Sequence, residues 1–198
     1  MRDFTHIDKY LDKLERDIYA QPPDPGHSRL ALESIQWMDE LIEDAHTVLD
    51  LGCGEAFCQI YFEGVELEYT GVCLQRDFYQ ARERGKNVLG LDFSFLPFED
   101  SSYDVLFSRH SLEHSPFPLI TLMEWHRVCN KYLMLVLPAP EYWGNVGRNH
   151  YFVLERKQWV ALLERVGFEL KSETTKEQLM IPEHGEEVTE YWFLLEKK

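Results

Sequence analysis

Two glycines separated by one residue, Gly52 and Gly54, follow a short apolar run, and their spacing could position a ligand. Glycine lets the backbone turn tightly and approach a ligand without a Cβ in the way. Asp50 lies two positions before the first glycine, and a carboxylate there suits a ligand that carries an ammonium group. A dinucleotide-binding fingerprint would need a third glycine where this chain has Phe57, which is too large for a pyrophosphate to lie against.

Histidines and carboxylates that could act as general bases follow two later apolar runs. His110, Glu113 and His114 come directly after one run, and the long polar and aromatic stretch 138–151, which contains His150, follows the next. Transfer of a group to a hydroxyl needs a base within hydrogen-bond reach, which is usually His, Asp or Glu. Structural alternatives stay open, since His114 could cap the turn that follows it and His150 could be a solvated loop residue.

Short apolar segments that alternate with helical patterns predict a parallel sheet covered on both faces. The predicted strands are 47–51, 68–73, 87–91, 103–108 and 132–137, and the predicted helices are 3–19, 28–43, 77–84, 119–129 and 156–166. Two late strands, 168–174 and 188–195, are expected to pair with each other in antiparallel fashion at one sheet edge.

The predicted fold class is therefore α/β, a doubly wound, mostly parallel seven-stranded sheet with an N-terminal helical cap. We assign 1–45 to the cap and 46–198 to the main domain, within a single compact unit. In such sheets a ligand binds at the carboxyl ends of the strands, so the glycines and the histidines are expected at one edge. The cap residues Tyr19, His27 and Arg29 are candidates for a lid over that edge.

Composition excludes several classes of partner. The 198 residues include 20 basic and 35 acidic side chains, a net charge of −15, which repels nucleic acid and anionic membranes. No apolar run approaches the roughly 18 residues of a membrane span, and no signal-peptide pattern is present, so a cytoplasmic location is expected. The four cysteines form no Cys-x-x-Cys pair, which predicts free thiols and no metal site.

The segment Val48-Leu-Asp-Leu-Gly-Cys-Gly-Glu55 resembles the first motif of class I S-adenosylmethionine-dependent methyltransferases. The resemblance continues through 92–104, 108–114 and 124–128, and again at the junction 163–168, so that it covers roughly 47–168 in order and spacing. It implies a Rossmann-like fold, S-adenosylmethionine as cofactor and methyl transfer as the reaction.

The resemblance also implies roles for individual residues in the cofactor site. The backbone of Gly52, Cys53 and Gly54 would lie against the methionyl and ribose portions of the cofactor. Asp50 would hold its amino group, directly or through water.

Later segments would hold the other end of the cofactor. Asp92 would accept a hydrogen bond from the adenine amine, and the backbone N–H of Phe93 would meet a ring nitrogen. The backbone at Ser108 and Arg109 would contact the methionyl end. The alternative for Asp92 is a capping role in a turn, which is the favoured interpretation for Asp104.

One departure from the family concerns the end of the second strand, where an acidic residue usually grips the ribose hydroxyls. Cys73 stands there, and a thiol is a poor acceptor. Gln75 is our candidate for the ribose contact, and Asp77 lies slightly further on. The departure favours an alternative function, a binding or regulatory protein that keeps the fold without catalysis. A nicotinamide-dependent oxidoreductase is disfavoured by the same missing acidic residue and by Phe57.

The methyl acceptor is expected to be an oxygen or nitrogen atom of a small molecule. The turn after the fourth strand contains neither an Asn-Pro-Pro-Tyr sequence nor a Pro-Cys nucleophile, which speaks against DNA methylation. The candidate catalytic residues are His110, His114 and His150, whereas His126 falls within a helix and is expected to be structural.

Overall fold

Seven strands form one sheet in the computed structural model, which describes residues 4–18, 30–140, 149–181 and 186–198. The strands are β1 (Thr47–Leu51), β2 (Glu68–Cys73), β3 (Val88–Gly90), β4 (Tyr103–Arg109), β5 (Cys129–Pro138), β6 (Phe168–Ile181) and β7 (Glu186–Lys197). Their order is β3-β2-β1-β4-β5-β7-β6. The first five strands run parallel, and β7 is antiparallel to both β5 and β6. The predicted fold class and the antiparallel pairing of the two late strands are confirmed.

The described residues form six helices, five of which contribute buried side chains to the two apolar layers on the sheet. They are α1 (Thr5–Ile18), α2 (Ala31–Asp39), α3 (Gln59–Gly64), α4 (Gln75–Glu83), α5 (Pro118–Val128) and α6 (Arg156–Val166), with a short 3-10 turn at Leu112–His114. All but α3 were predicted; its six residues are too few to show a helical period. Among the described residues, no helix combines the length and apolarity that crossing a membrane requires.

Side chains of the central strands alternate between two apolar layers. Leu49 and Leu51 of β1 pack with Trp125 and Trp159 on one face, whereas Val48 packs with Ile35 on the other. Both layers are closed to solvent, since each of these side chains is fully buried. The sheet is therefore rigid where its strands end, which is where a site can be built.

The strand order reverses at β1: β2 and β3 lie on one side of β1, and β4 and the later strands lie on the other. A crevice forms outside the carboxyl ends of two such strands, and ligands of doubly wound sheets bind there. The glycine turn and the segment that carries the histidines directly follow the two strands that flank this crevice.

Candidate functional site

The glycine turn after β1 is held tightly against its neighbours. Gly52 and Gly54 have φ angles of 78° and 54°, and the Gly52 N–H donates to the Val72 carbonyl at 2.9 Å. A Cβ on Gly52 would lie 2.2 Å from the Ser111 Oγ, so a side chain there would collide with the loop after β4. At Gly54 a Cβ would instead project into open space, with Asp77 Oδ2 as its nearest neighbour at 4.0 Å. We call the open space in front of Gly54 the cradle, because it could accept a ligand.

Asp50 lies beneath this turn rather than at its surface. It is 4% exposed, and the Tyr69 hydroxyl donates to its Oδ2 at 3.0 Å. Burial raises the pKa of Asp50 to about 7, and the Tyr69 hydrogen bond opposes that rise. A cation bound next to Asp50 would lower this pKa again.

The end of β2 offers an acidic group that the sequence analysis ranked second. Cys73 is buried at the strand end, and Gln75 is exposed with a φ of 48°. Asp77, in the first turn of α4, directs its carboxylate toward Gly54 and receives a hydrogen bond from Arg76 at 3.2 Å. Burial raises the pKa of Asp77, and Arg76 lowers it. The sequence favoured Gln75 for the ribose contact, because it is nearer to the end of β2. The first turn of α4 places the Asp77 carboxylate near Gly54, which the sequence alone does not show.

The segment after β3 carries the predicted adenine contacts. Asp92 Oδ1 accepts a hydrogen bond from the Ser94 N–H at 2.8 Å, which is the turn-capping interaction weighed for this residue. Its second oxygen remains able to accept another bond. The Phe93 ring lies 3.7 Å from where a Cβ on Gly52 would be, and its carbonyl accepts from Trp125 Nε1 at 2.9 Å. Asp92 thus caps a turn, and both residues border the crevice.

A buried ion cluster lies at the end of β4, and it includes a residue that the sequence analysis missed. Arg109 and His110 both contact Glu190 of β7, with His110 Nε2 2.8 Å from Glu190 Oε1. Trp192 Nε1 donates to the other Glu190 oxygen at 2.9 Å. Burial would raise the pKa of Glu190, but the Arg109 guanidinium and His110 hold it below its usual range. Burial lowers the pKa of His110. The sequence contains one signal for this role of Glu190. It begins the apolar run 190–195, and a buried carboxylate requires a cationic partner.

The predicted backbone contacts of Ser108 and Arg109 lie within regular strand structure. Ser108 is fully buried and pairs with Leu135, and Arg109 pairs with Val136. The Ser111 hydroxyl lies 3.1 Å from the Arg109 carbonyl and 3.3 Å from the Gly52 carbonyl. It joins β4 to the glycine turn.

Three further groups, Glu113, His114 and His150, come together beside this cluster. His114 Nδ1 lies 2.7 Å from the Asn149 carbonyl, and its ring packs edge-on against His150 with centroids 4.8 Å apart. Burial lowers the pKa of His114 to about 4, and burial with the nearby His114 lowers that of His150 to about 3. Burial raises the pKa of Glu113 to about 8. His150 is half-buried against another histidine, so it is not the solvated loop residue weighed in the sequence analysis.

Backbone hydrogen bonds hold the end of the loop after β5 against Glu113. The N–H of Tyr151 donates to the Glu113 carbonyl at 2.7 Å, and that of Phe152 donates to the same oxygen at 3.2 Å. Burial raises the pKa of Tyr151, and the charge of Asp17 in α1 adds to that rise. Tyr19, His27 and Arg29 lie outside the described residues.

Two residues that were expected to be structural prove to be so. Asp104 accepts from the His46 backbone N–H and from Asn130 Nδ2, both at 2.9 Å, at the amino end of the sheet. His126 of α5 packs edge-on against Phe168 at a centroid distance of 5.0 Å. Neither belongs to the crevice.

Comparison with known proteins extends these observations. Residues 49–135 match the family model described as a methyltransferase domain. No curated protein matches the sequence.

Several solved structures have the same fold at low sequence identity. One from Methanosarcina mazei, described as an S-adenosylmethionine-dependent methyltransferase, has a TM-score of 0.68 at 16% identity, covering 81% of this chain and 96% of that one. One from Thermotoga maritima, given the same description with histamine suggested as its acceptor, has a TM-score of 0.66 at 20% identity, covering 99% and 100%. The (4+2)-cyclase SpnF has a TM-score of 0.64 at 16% identity, covering 84% and 81%. The class I resemblance predicted from the sequence is confirmed at the level of domain and fold.

Proposed function

We propose, from the premise that residues 49–135 carry a methyltransferase domain of the class I type, that this protein transfers a methyl group from S-adenosylmethionine to an oxygen or nitrogen atom of a small molecule. The observation that carries the proposal is the cradle at the switch point. Gly54 opens onto space in front of Asp77, and Gly52 lies beside Phe93. Along this edge the ribose, the adenine ring and the ammonium group of S-adenosylmethionine each have a candidate partner.

The cofactor contacts follow the strand ends in order. We assign Asp50 to the ammonium group, because it is an acidic side chain beneath the turn. We assign the ribose hydroxyls to Gln75 and Asp77, with Asp77 favoured because its carboxylate faces Gly54. Asp92 and the Phe93 backbone take the adenine, and the backbone from Gly52 to Gly54 and at Ser108 and Arg109 takes the methionyl portion.

The acceptor side consists of the three predicted histidines, which differ in role. His110 contacts Glu190 and is nearly enclosed, so we assign it a positioning role. Nδ1 of His114 faces a carbonyl, which can only accept, so Nδ1 carries the proton and Nε2 has the lone pair. His114 and His150 can therefore accept hydrogen bonds from an acceptor molecule at neutral pH.

Bound S-adenosylmethionine would supply an electrophilic methyl group, whose bond to sulfur breaks as the acceptor atom forms its own bond to carbon. The histidines would align the acceptor for that in-line displacement, and alignment supplies much of the rate. With pKa values of about 4 and about 3, His114 and His150 are weak proton acceptors. Because weak proton acceptors cannot readily deprotonate the methyl acceptor, we expect that acceptor to be a neutral amine or a hydroxyl that another group activates.

The N-terminal cap would close over the acceptor. We propose that residues 1–45 act as this lid and that 46–198 form the cofactor-binding domain. In support, the charge of Asp17 in α1 adds to the rise that burial causes in the pKa of Tyr151, which directly follows His150.

A second candidate function is binding of the cofactor or a related ligand without methyl transfer. Two observations favour it: Cys73 occupies the end of β2, and a structural neighbour with the same fold is a cyclase. Turnover, rather than affinity for the cofactor, distinguishes this candidate from the first.

Calorimetric titration with S-adenosylmethionine, S-adenosylhomocysteine and NAD tests the cofactor. We expect micromolar binding of the first two and none of NAD. Absence of binding by all three would contradict the proposal. Release of S-adenosylhomocysteine in a screen of amines and alcohols then tests transfer, and cofactor binding without release from any acceptor would support the second candidate.

A further inference from the structure

Glu113, His114 and His150 converge although His150 lies 36 positions beyond His114 in the sequence. Each offers one ligand atom, and the three atoms lie within 4.8 Å of one another. Two imidazoles and one carboxylate are a donor set that borderline divalent metal ions use, with coordination positions left open for substrate.

Glu113 is the buried carboxylate of this group. It is 0% exposed, and neither of its oxygens has a hydrogen-bond partner among the described residues. Its Oε1 lies 3.8 Å from Nδ1 of the His110 ring, which is beyond hydrogen-bond distance. A buried carboxylate without a donor is costly, and a bound cation would satisfy it.

His114 has the support that metal-binding histidines usually have. Its Nδ1–H donates to the Asn149 carbonyl at 2.7 Å, which fixes the tautomer and leaves the Nε2 lone pair for a ligand. Asn149 is itself buried at 7% exposure, and Tyr151 ties the same loop to the Glu113 carbonyl at 2.7 Å. The backbone therefore holds His150 next to His114 before any ligand binds.

We propose that Glu113, His114 and His150 form a binding site for a divalent transition-metal ion such as Zn²⁺, Co²⁺, Fe²⁺ or Mn²⁺. Ligand atoms about 2.1 Å from a tetrahedral metal are about 3.4 Å apart, whereas these atoms lie within 4.8 Å of one another, so side-chain rotations must close up to about 1.4 Å. The two nitrogen donors favour these ions over Mg²⁺ and Ca²⁺, which prefer oxygen.

The site lies where the acceptor is expected. Glu113 is two residues beyond Ser111, whose hydroxyl lies 3.3 Å from the Gly52 carbonyl, so the metal ligands follow the segment that contacts the glycine turn. An open coordination position would take an acceptor hydroxyl and lower its pKa. The proton would pass to water, and the oxygen would form the bond to the methyl carbon as the carbon–sulfur bond breaks. With the ion bound, the lone pairs of the two histidines bind the metal in place of accepting hydrogen bonds from the acceptor. This role rests on the proposed methyl transfer, whereas metal binding itself does not.

Titration of chelator-treated protein with Co²⁺, followed by visible absorption and calorimetry, tests the site. We expect one ion per chain and an absorption band that Zn²⁺ abolishes by competition. His150→Ala and Glu113→Gln should each weaken Co²⁺ binding at least about 10- to 100-fold, the loss that removing even an outer partner of a metal ligand causes.

His46→Ala is the matched control, because His46 is an exposed histidine before β1 and should leave Co²⁺ affinity unchanged. Absence of a stoichiometric Co²⁺ signal in the parent protein would overturn the proposal, as would unchanged affinity in a folded His150→Ala variant. S-adenosylmethionine calorimetry reports separately on the proposed function, so failure of one does not imply failure of the other.

Discussion

Three buried carboxylates near the crevice differ in charge because their neighbours differ. Glu190 faces Arg109 and keeps its pKa below the usual range, so it is ionised. At Asp50 and Glu113 burial outweighs the groups that lower the pKa, which include Tyr69 at Asp50 and Arg109 at Glu113, and their pKa values rise to about 7 and about 8. A cationic ligand would offset the cost of burial at both groups, which is why both are interpreted as binding groups.

The pKa of Asp50 makes cofactor affinity depend on pH. An ammonium group next to Asp50 would lower its pKa from about 7, so binding below pH 7 releases a proton. Affinity for S-adenosylmethionine should therefore rise, by roughly tenfold per pH unit at most, up to about pH 7 and then level off.

Calorimetry between pH 5.5 and 8 in buffers of different ionisation enthalpy measures this proton release. Asp50→Asn should bind more weakly with no such pH dependence. An Asp50→Asn variant that retains the parent pH profile would show that the ammonium lies elsewhere.

We predict that Asp92 contributes to cofactor binding, whereas His150 contributes only to the acceptor side. Asp92→Ala removes the adenine acceptor and should weaken S-adenosylmethionine binding by about tenfold to a hundredfold. His150→Ala should leave that affinity close to the parent value. Asp92→Asn keeps an oxygen for the Ser94 N–H, so it separates loss of the cap from loss of the carboxylate. Parent-like affinity in Asp92→Ala would show that the adenine pocket is wrongly assigned.

At the level of elements, the site depends on which strands are neighbours. β7 lies antiparallel beside β5, and Pro138 pairs with Glu190 in that register. A shift of one residue would turn Glu190 to the other face of the sheet and leave Arg109 buried without its carboxylate. The late antiparallel strand is thus part of the site's support, although it contributes no predicted ligand contact.

Loss of the Glu190 carboxylate should destabilise the protein strongly. Glu190→Gln leaves the buried Arg109 charge uncompensated, and breaking a buried pair in this way costs about 3–5 kcal/mol. Glu196→Gln on the same strand is the control, since Glu196 pairs with Lys171 at the surface and its loss should change little. Urea denaturation of the two variants measures the difference. Equal stabilities would mean that Arg109 finds another partner.

At the level of the whole molecule, an acidic chain surrounds a crevice suited to a cationic ligand. The net charge of −15 favours cations over phosphate polymers, and both apolar layers of the sheet keep the strand ends in register. Ligand binding at those ends should therefore stabilise the whole domain.

Saturation with S-adenosylmethionine should raise the midpoint of thermal unfolding. At a ligand concentration 100 times Kd, the free energy of unfolding rises by about 2.7 kcal/mol, which for a domain of this size shifts Tm by about 5–10 °C. NAD at the same concentration should leave Tm unchanged, and scanning calorimetry compares the two. A larger shift with NAD would contradict the cofactor assignment.

Local patterns in the sequence determined much of this protein's structure. Apolar runs and helical periods predicted all seven described strands and five of the six described helices, because burial and backbone preference act over a few neighbouring residues. The same locality explains why the motif around Gly52 and Gly54 was recognisable, along with Asp50 and Asp92. It also explains the miss of α3, which is too short for a period.

Only the tertiary structure decided which side chains meet. Glu190 and Arg109 are separated by 81 positions, and His114 meets the Asn149 carbonyl across 35. No local pattern encodes such contacts, since they follow from strand order and from the path of the loop after β5. The sequence predicted no metal site because it has no Cys-x-x-Cys pair. The metal site proposed above depends instead on a carboxylate and two histidines that only the fold brings together. The charge of each buried group was likewise decided by the fold, because it depends on which neighbours replace water.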